Sequence, residues 1–438
     1  MCQEDTVDEN ACACSLTMSL KKNILANYIG GGAVALAPIL ALPWYLAALG
    51  PKQFGLVGFV VMLQALFGLL DAGMSQALVR EIAVRLDATD TGRRSTAALL
   101  FGFERIYWMF ALGAGCVMSL LADIIAVHWL NLGDMPVALG THAVYGSAVI
   151  FAVQFPGSIY RSLLVGAQVQ TALNGVMFVG ALLRHLGGVI IVIIWPTLTA
   201  YLIWHASIAL LETLVRAGLA WGTLNVKRSQ VGWKIEALRP AWSLAAGMSG
   251  AVWLGALTVQ MDKIVLSRMA PIEQFGYYVI AATAAAGLLQ LIYPVVQAVL
   301  PRAVQLRADA GALRSLSVKT IKFIALLVGL TVFGFMAFGK PLLEIWLRNT
   351  QVAETVYPLL AILLVGTGLN AFYNVGYVNW IVHKRINRIL QVNALAFVLS
   401  IVLIPLFVAW KGIAGAAFGW LSINLIGFMI SLEWLKRK

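Results

Sequence analysis

Charged side chains are scarce in this 438-residue chain: 11% of the residues, with only 19 acids among them. A soluble domain carries about 25% charged and about 45–50% apolar residues. Here 61% are hydrophobic and the mean hydropathy is +0.87. A core of this size cannot hide that excess, so lipid must be its solvent. Cysteine is also rare: Cys2, Cys12, Cys14 and Cys116. Three of the four fall in an acidic tail, residues 1–18, which reads as disordered. Cys12-x-Cys14 has no His or Cys partner at ligand spacing, so no metal and no cofactor are expected. No secretory signal peptide is read, because the first apolar run is long enough to span and no A-x-A-like cleavage site follows it. There is no Gly-rich phosphate loop followed by Lys-Ser/Thr and no ATPase signature. The chain is therefore not expected to be an enzyme or to hydrolyse nucleotide. Active transport would draw on an ion gradient, substrate asymmetry or a partner, and both proton and sodium coupling stay open.

What is present is a series of apolar runs. A span needs roughly 20 such residues, and twelve are read: 24–46, 55–77, 97–121, 141–160, 175–195, 198–221, 241–264, 276–300, 321–343, 355–378, 391–410 and 413–434. Continuous runs predict helices, since a barrel would show short alternating segments. Of the 31 lysines and arginines, five (Lys52, Arg268, Lys340, Arg348 and Lys411) fall on one side. Arg105, Arg184, Arg216 and Lys263 fall within spans, and the rest share the other side with both termini. Positive loops face the cytosol, so both termini are placed there. The +12 net charge then reports topology and attraction to anionic membrane lipid, not nucleic-acid binding.

A short phrase occurs twice. "ALGPKQFGLVGFV" (Ala48 to Val60) returns as "MAPIEQFGYYVIA" (Met269 to Ala281), with Phe54-Gly55 matched by Phe275-Gly276. Arginine follows each glycine at similar spacing, Arg80 and Arg302. The chain is thus expected to be an all-α polytopic membrane protein of two six-helix bundles related by a parallel repeat. The bundles are 19–222 and 241–438, joined by a basic cytosolic linker over 223–240. Such duplication is typical of transporters, whose halves rock about a shared site.

Ionisable groups at membrane depth are costly and normally face a cavity or a partner. At about 1.5 Å per residue, Arg184 lies near the midplane of the fifth span, next to His185, and Arg105 follows Glu104 in the third. These arginines are the candidate substrate-binding cations. The competing arrangement for Arg184 is a buried pair with Glu104, Asp71 or Glu212. Glu212 and Arg216 have the i,i+4 spacing of a helical ion pair, and Asp262-Lys263 lies towards the outer end of span seven. Asp71, Glu104, Glu212, Arg216, Asp262 and Lys263 are candidate coupling or gating groups. His185 and His205 read as hydrogen-bonded packing residues that could titrate. Asn370, Tyr373, Asn374 and Tyr377 form one polar-aromatic stripe, and Gln290, Tyr293 and Gln297 form another beside Pro294. Such stripes either glue helices together or hold a polyhydroxyl ligand. Pro38 and Pro43, after Gly30-Gly31-Gly32, predict a bent first helix.

Three segments carry a resemblance. "LGPKQFGLVGFVVMLQALFGLLDAGMSQALVREIA" (Leu49 to Ala83), "QMDKIVLSRMAPIEQFGYYVIAATAAAGLLQLIYPVVQAVLPRAVQL" (Gln260 to Leu306) and "GIAGAAFGWLSINLIGF" (Gly412 to Phe428) resemble corresponding parts of polysaccharide flippases. These are the Wzx-like branch of the multidrug/oligosaccharidyl-lipid/polysaccharide exporter superfamily. The resemblance implies two bundles in a V around a central cavity in the bacterial cytoplasmic (inner) membrane. It implies transfer of an undecaprenyl-diphosphate-linked saccharide between leaflets, with a polysaccharide polymerase and a chain-length regulator as partners. Basic cavity residues would hold the diphosphate or acidic sugars, a role that Arg105 and Arg184 fit. The rivals are a cation-coupled multidrug antiporter of the same superfamily and a major-facilitator transporter. The latter's Gly-x-x-x-Asp-Arg-x-Gly motif is not matched by "VREIAVRLDATDTGRRST".

Overall fold

The structure is a computed structural model. It describes the backbone of residues 9–71, 73–86, 89–232 and 239–436, and the side chains of 31–71, 73–86, 89–229, 231–232 and 253–435. Among these residues the chain is helical, with no strand. Ten helical stretches are long and apolar enough to cross a membrane. Outward faces bear large apolar side chains, such as Leu120, Phe333 and Ile345, as expected where hydrocarbon replaces water. The tail read as disordered lies partly outside the described residues, and from Glu9 onward it belongs to the first helix.

The first half begins with α1, Glu9–Gly68. Pro38, Pro43 and Pro51 all lie within it, yet the backbone leaves helical torsions at Gly50, with φ 73°. A side chain at that φ would meet its own carbonyl, so glycine followed by proline marks the break. The second apolar run ends early. After Gly68 comes one tight turn, Leu69–Asp71, and then the short α2, Met74–Arg85. Helices α3 (Asp90–Leu120) and α4 (Ala122–His128) lead to α5 (Val137–Gln154). Pro156 then divides α5 from α6 (Gly157–Gly166). The fifth run is also divided: α7 (Gln170–Leu182), a π-helical turn Leu183–Gly187, and α8 (Gly188–Ile194). Helix α9, Leu198–Leu224, closes the half.

The second half is more regular: α10 (Arg239–Met269), α11 (Ile272–Gln305), α12 (Ala310–Leu347), α13 (Thr350–Val382), α14 (Ile386–Lys411) and α15 (Ile413–Ser431). Helix α13 is its centre and packs on α11, α12 and α15. Residues 233–238 of the expected linker lie outside the described residues.

The two copies of the repeated phrase meet each other. A Cβ on Gly276 would stand 3.0 Å from the Gly55 Cα, and one on Gly55 would collide with the Ile272 carbonyl oxygen. Buried Leu56, Phe59 and Val60 join Phe275, Tyr278 and Val279 in one apolar core that crosses between the halves. The same arginine-poor end carries further links. The Ile272 N–H donates to the Asn131 carbonyl at 3.0 Å. Trp129 Nε1 donates to Ser267 Oγ at 2.9 Å. The Arg348 guanidinium lies 4.3 Å from the centre of the Trp44 ring. At the basic end α2 lies against α10.

Candidate functional site

Each half holds a cavity, and the two differ in chemistry. The first, about 240 Å³, lies where three helices are interrupted or end. Gln64 and Gly68 come from the end of α1 and Asp71 from the turn after it, Gln154 from the end of α5 and Phe155 from the residue that caps it. Ser158 and Arg161 come from the start of α6, and Arg216 from α9. The Asp71 carboxylate accepts hydrogen bonds from the Tyr107 hydroxyl at 2.5 Å and from Ser75. It also lies within electrostatic reach of Arg161, whose side chain is exposed.

Behind the wall, one carboxylate serves two arginines. Glu212 Oε1 accepts from Arg184 Nη2 at 2.8 Å, and Oε2 from Arg216 Nη2 at 2.7 Å. Arg184 Nη1 also donates to Gln154 Oε1 at 3.2 Å. Of the three acids the sequence offered as partners for Arg184, the fold selects Glu212. The buried Nε atoms of Arg184 and Arg216 have no partner. Three arginines therefore face two carboxylates, and the region keeps a net positive charge.

The π-helical turn presents Arg184. Such a turn carries one residue too many for the i to i+4 ladder and leaves carbonyls without helical partners. Trp204 Nε1 donates to the Leu183 carbonyl at 2.9 Å, and the Tyr45 hydroxyl donates to that of His185 at 3.0 Å. The Tyr45 oxygen is also 3.4 Å from His205 Nε2, and the His205 ring stacks on Tyr201 at 4.0 Å. His205 is thus a packing residue. His185 is held by its backbone, and its Nδ1 is buried without a partner.

The second cavity, about 330 Å³, lies inside the second half among α10, α11, α13, α14 and α15. The stripe of Asn370, Tyr373, Asn374 and Tyr377 lines it, together with Tyr293, Asn393, Trp420 and Asn424. Asn370 Nδ2 donates to Asn424 Oδ1 at 2.8 Å, and Asn374 Nδ2 to the Asn370 carbonyl at 2.8 Å. The buried Tyr373 hydroxyl has no partner. Among the described residues, no acid, lysine, arginine or histidine lines this cavity.

Other candidates are placed elsewhere. Arg105 is exposed, its guanidinium 4.4 Å from the centre of the Phe101 ring, and does not line the first cavity. Glu104 is buried and accepts from Tyr160 at 2.5 Å and Arg228 at 3.0 Å, which ties α3 to α6 and to the segment after α9. Asp262 accepts from the Tyr278 hydroxyl at 2.6 Å and pairs with Lys263 at 3.2 Å. Gln290 and Gln297 are exposed on α11, on either side of Tyr293, which alone of that stripe lines the second cavity. Sequence reasoning missed Arg161 by assigning it to a cytosolic loop. Pro156, which interrupts the fourth run five residues earlier, was the available signal.

The sequence model of a family described as "Polysaccharide biosynthesis protein" matches residues 48–356. A Shigella flexneri protein named "Putative O-antigen transporter" is 21% identical over 431 residues, covering 95% of this chain and 98% of its own. The fold resembles that of the lipid II flippase MurJ in an inward closed conformation. That match has a TM-score of 0.71 at 13% identity, over 96% of this chain and 88% of that one. It also resembles an inward-facing multidrug resistance MATE transporter of the MOP superfamily, with a TM-score of 0.66 at 15% identity over 93% and 97%. These relatives are transporters and a flippase, not enzymes.

Proposed function

Because the chain belongs to the polysaccharide biosynthesis protein family, we propose that it is a flippase for a lipid-linked saccharide. It moves an undecaprenyl-diphosphate-linked oligosaccharide (an O-antigen, capsule or exopolysaccharide repeat unit) from the inner to the outer leaflet of the bacterial cytoplasmic membrane. Twelve crossings follow if the break at Gly50 divides the first candidate span and α10 supplies one more, so that both termini are cytosolic. In the outer leaflet the product is handed to a polymerase and its chain-length regulator.

The observation that carries this reading is the first cavity, where Arg161 is exposed opposite Asp71 and Arg216 shares its carboxylate with Arg184. The physical task is to carry a polar, anionic head through a hydrocarbon layer about 30 Å thick while the prenyl tail stays in lipid. An isolated anion in such a layer is prohibitively costly, so the route must supply compensating donors. Guanidinium forks do so in paired, charge-assisted hydrogen bonds to phosphate. Arg161 is free to turn towards a diphosphate. Arg216 can join it by giving up half of its shared carboxylate, and Arg184 holds Glu212 in place meanwhile. Release on the other side requires the Gly55–Gly276 joint to part, as alternating access between two halves demands.

The reading is tested in a host lacking the gene, by measuring which leaflet holds the lipid-linked saccharide. The wild-type chain should restore outer-leaflet delivery, and Arg161→Ala/Arg184→Ala should leave the saccharide on the cytosolic side. Full delivery by the double variant would remove Arg161 and Arg184 from the mechanism.

A further inference from the structure

We propose that the second cavity is a binding subsite for an uncharged sugar of the carried head group. This rests on the flippase reading above and adds to it a division of labour: phosphate in the first half, neutral saccharide in the second.

The lining makes the case. Asn370, Asn374, Asn393 and Asn424 bring four amides to one cavity. An amide both donates and accepts, as does each hydroxyl of a sugar. Tyr293, Tyr373, Tyr377 and Trp420 add aromatic faces beside those amides. Such rings cover the C–H faces of a pyranose while their polar atoms reach its hydroxyls. The Tyr373 hydroxyl is buried yet bonded to nothing, and a buried hydroxyl left so costs free energy. Tyr373 lines the cavity, and a small turn of its side chain would bring that hydroxyl to a ligand hydroxyl. At about 330 Å³ the space lies near the lower limit of small-molecule pockets, about 300 Å³. It therefore suits one or two sugar units, not a polymer. Among the described residues no side chain of the lining could neutralise a carboxylate, so a uronic acid would be desolvated there without compensation. Among the described residues no carboxylate lines the cavity either, so the aromatic faces are what would attract a lipophilic cation.

The experiment uses the purified full-length chain in nanodiscs. Tryptophan fluorescence and thermal midpoint are followed against three probes: methyl N-acetylglucosaminide, methyl glucuronide and tetraphenylphosphonium. The uncharged glycoside should give a saturable response, and the glucuronide should bind at least about tenfold more weakly. Tyr373→Phe keeps the ring and removes only the partnerless hydroxyl, so the unliganded thermal midpoint should hold. Glycoside affinity should nonetheless fall about fivefold, the loss of one hydrogen bond. The proposal is overturned by no saturable response to the glycoside, by equal affinity for the two glycosides, or by tetraphenylphosphonium binding best. It is overturned equally by a Tyr373→Phe variant that binds the glycoside as the wild type does. These readouts need no flipping, so failure of the subsite and failure of Arg161 and Arg184 in the leaflet assay are told apart.

Discussion

The two cavities stand in halves that share a duplicated phrase, yet one is built from interrupted helices and the other from continuous ones. In the first half, breaks at Gly68–Gly73, Pro156 and the π-helical turn bring Asp71, Arg161 and Arg184 to or beside the cavity. In the second, α11 and α13 run through 34 and 33 residues and present amides and phenols without interruption. The difference is physical. Charges inside a membrane need backbone dipoles, counter-charges and water, which broken helices admit. Amides and phenols tolerate a regular helix face.

The sharpest way to break this contrast is to remove the counter-charge of the first half. Glu212→Ala removes the carboxylate shared by two half-buried guanidiniums, and losing one partner of a fully buried pair costs about 3–5 kcal/mol, which sets the upper bound here. Thermal unfolding in detergent should show a large drop, whereas Asn424→Ala, which breaks two neutral hydrogen bonds, one with Asn370 and one to the Trp420 carbonyl, should cost about 2 kcal/mol. A similar drop for both would mean that the Arg184–Glu212–Arg216 cluster is not held as described. Next in size is the joint between the halves. Gly55→Ala drives a methyl group into the Ile272 carbonyl, and overpacking of this kind costs about 1–3 kcal/mol. Gly287→Ala, whose new Cβ would meet only Ile39 at 3.7 Å, is the matched control and should be neutral in the same melt.

Smaller again is the contrast between two arginines of the first half. Arg161→Ala should lower delivery by about 10-fold or more, the loss of a charge-assisted bond to phosphate, with stability changed by less than about 0.5 kcal/mol. Arg105→Ala should leave leaflet delivery at the wild-type level, and a loss there would return Arg105 to the transport route. The smallest effect is expected at the surface. Lys52 Nζ donates to Asp134 at 2.6 Å, and this bond holds the Asp134 carboxyl below the usual carboxylate range. Its contribution to stability is therefore present at neutral pH and is lost as pH falls through that lowered pKa. Both groups are exposed, so Asp134→Asn should barely move the melting curve, while an NMR titration of Asp134 should still show the depressed value.

The helical, membrane-embedded architecture was legible in composition and in the length of the apolar runs. The repeated phrase itself was legible in Phe54-Gly55 and Phe275-Gly276, but not the contact between its copies, because a repeat in sequence does not say where its copies lie in space. The stripe on α13 was also legible, since i, i+3, i+4 and i+7 define one face of any helix. The first cavity was mostly hidden. Arg184 and Glu212 are 28 positions apart on different helices, and three acids were equally eligible from spacing alone. Arg161 looked like a loop cation because charge counting treats each apolar run as one rod, and Pro156 divides this one. Arg105 looked like a cavity residue from depth alone, yet depth does not fix the face of a helix.

The Gly55–Gly276 contact sets a residue against its own counterpart, the signature of an isologous interface lying on a two-fold axis. Two copies of one phrase within a single chain, unlike two copies of a whole chain, need not keep identical surroundings. Arg161 and Arg216 can therefore line the first cavity while the described lining of the second is amide and phenol.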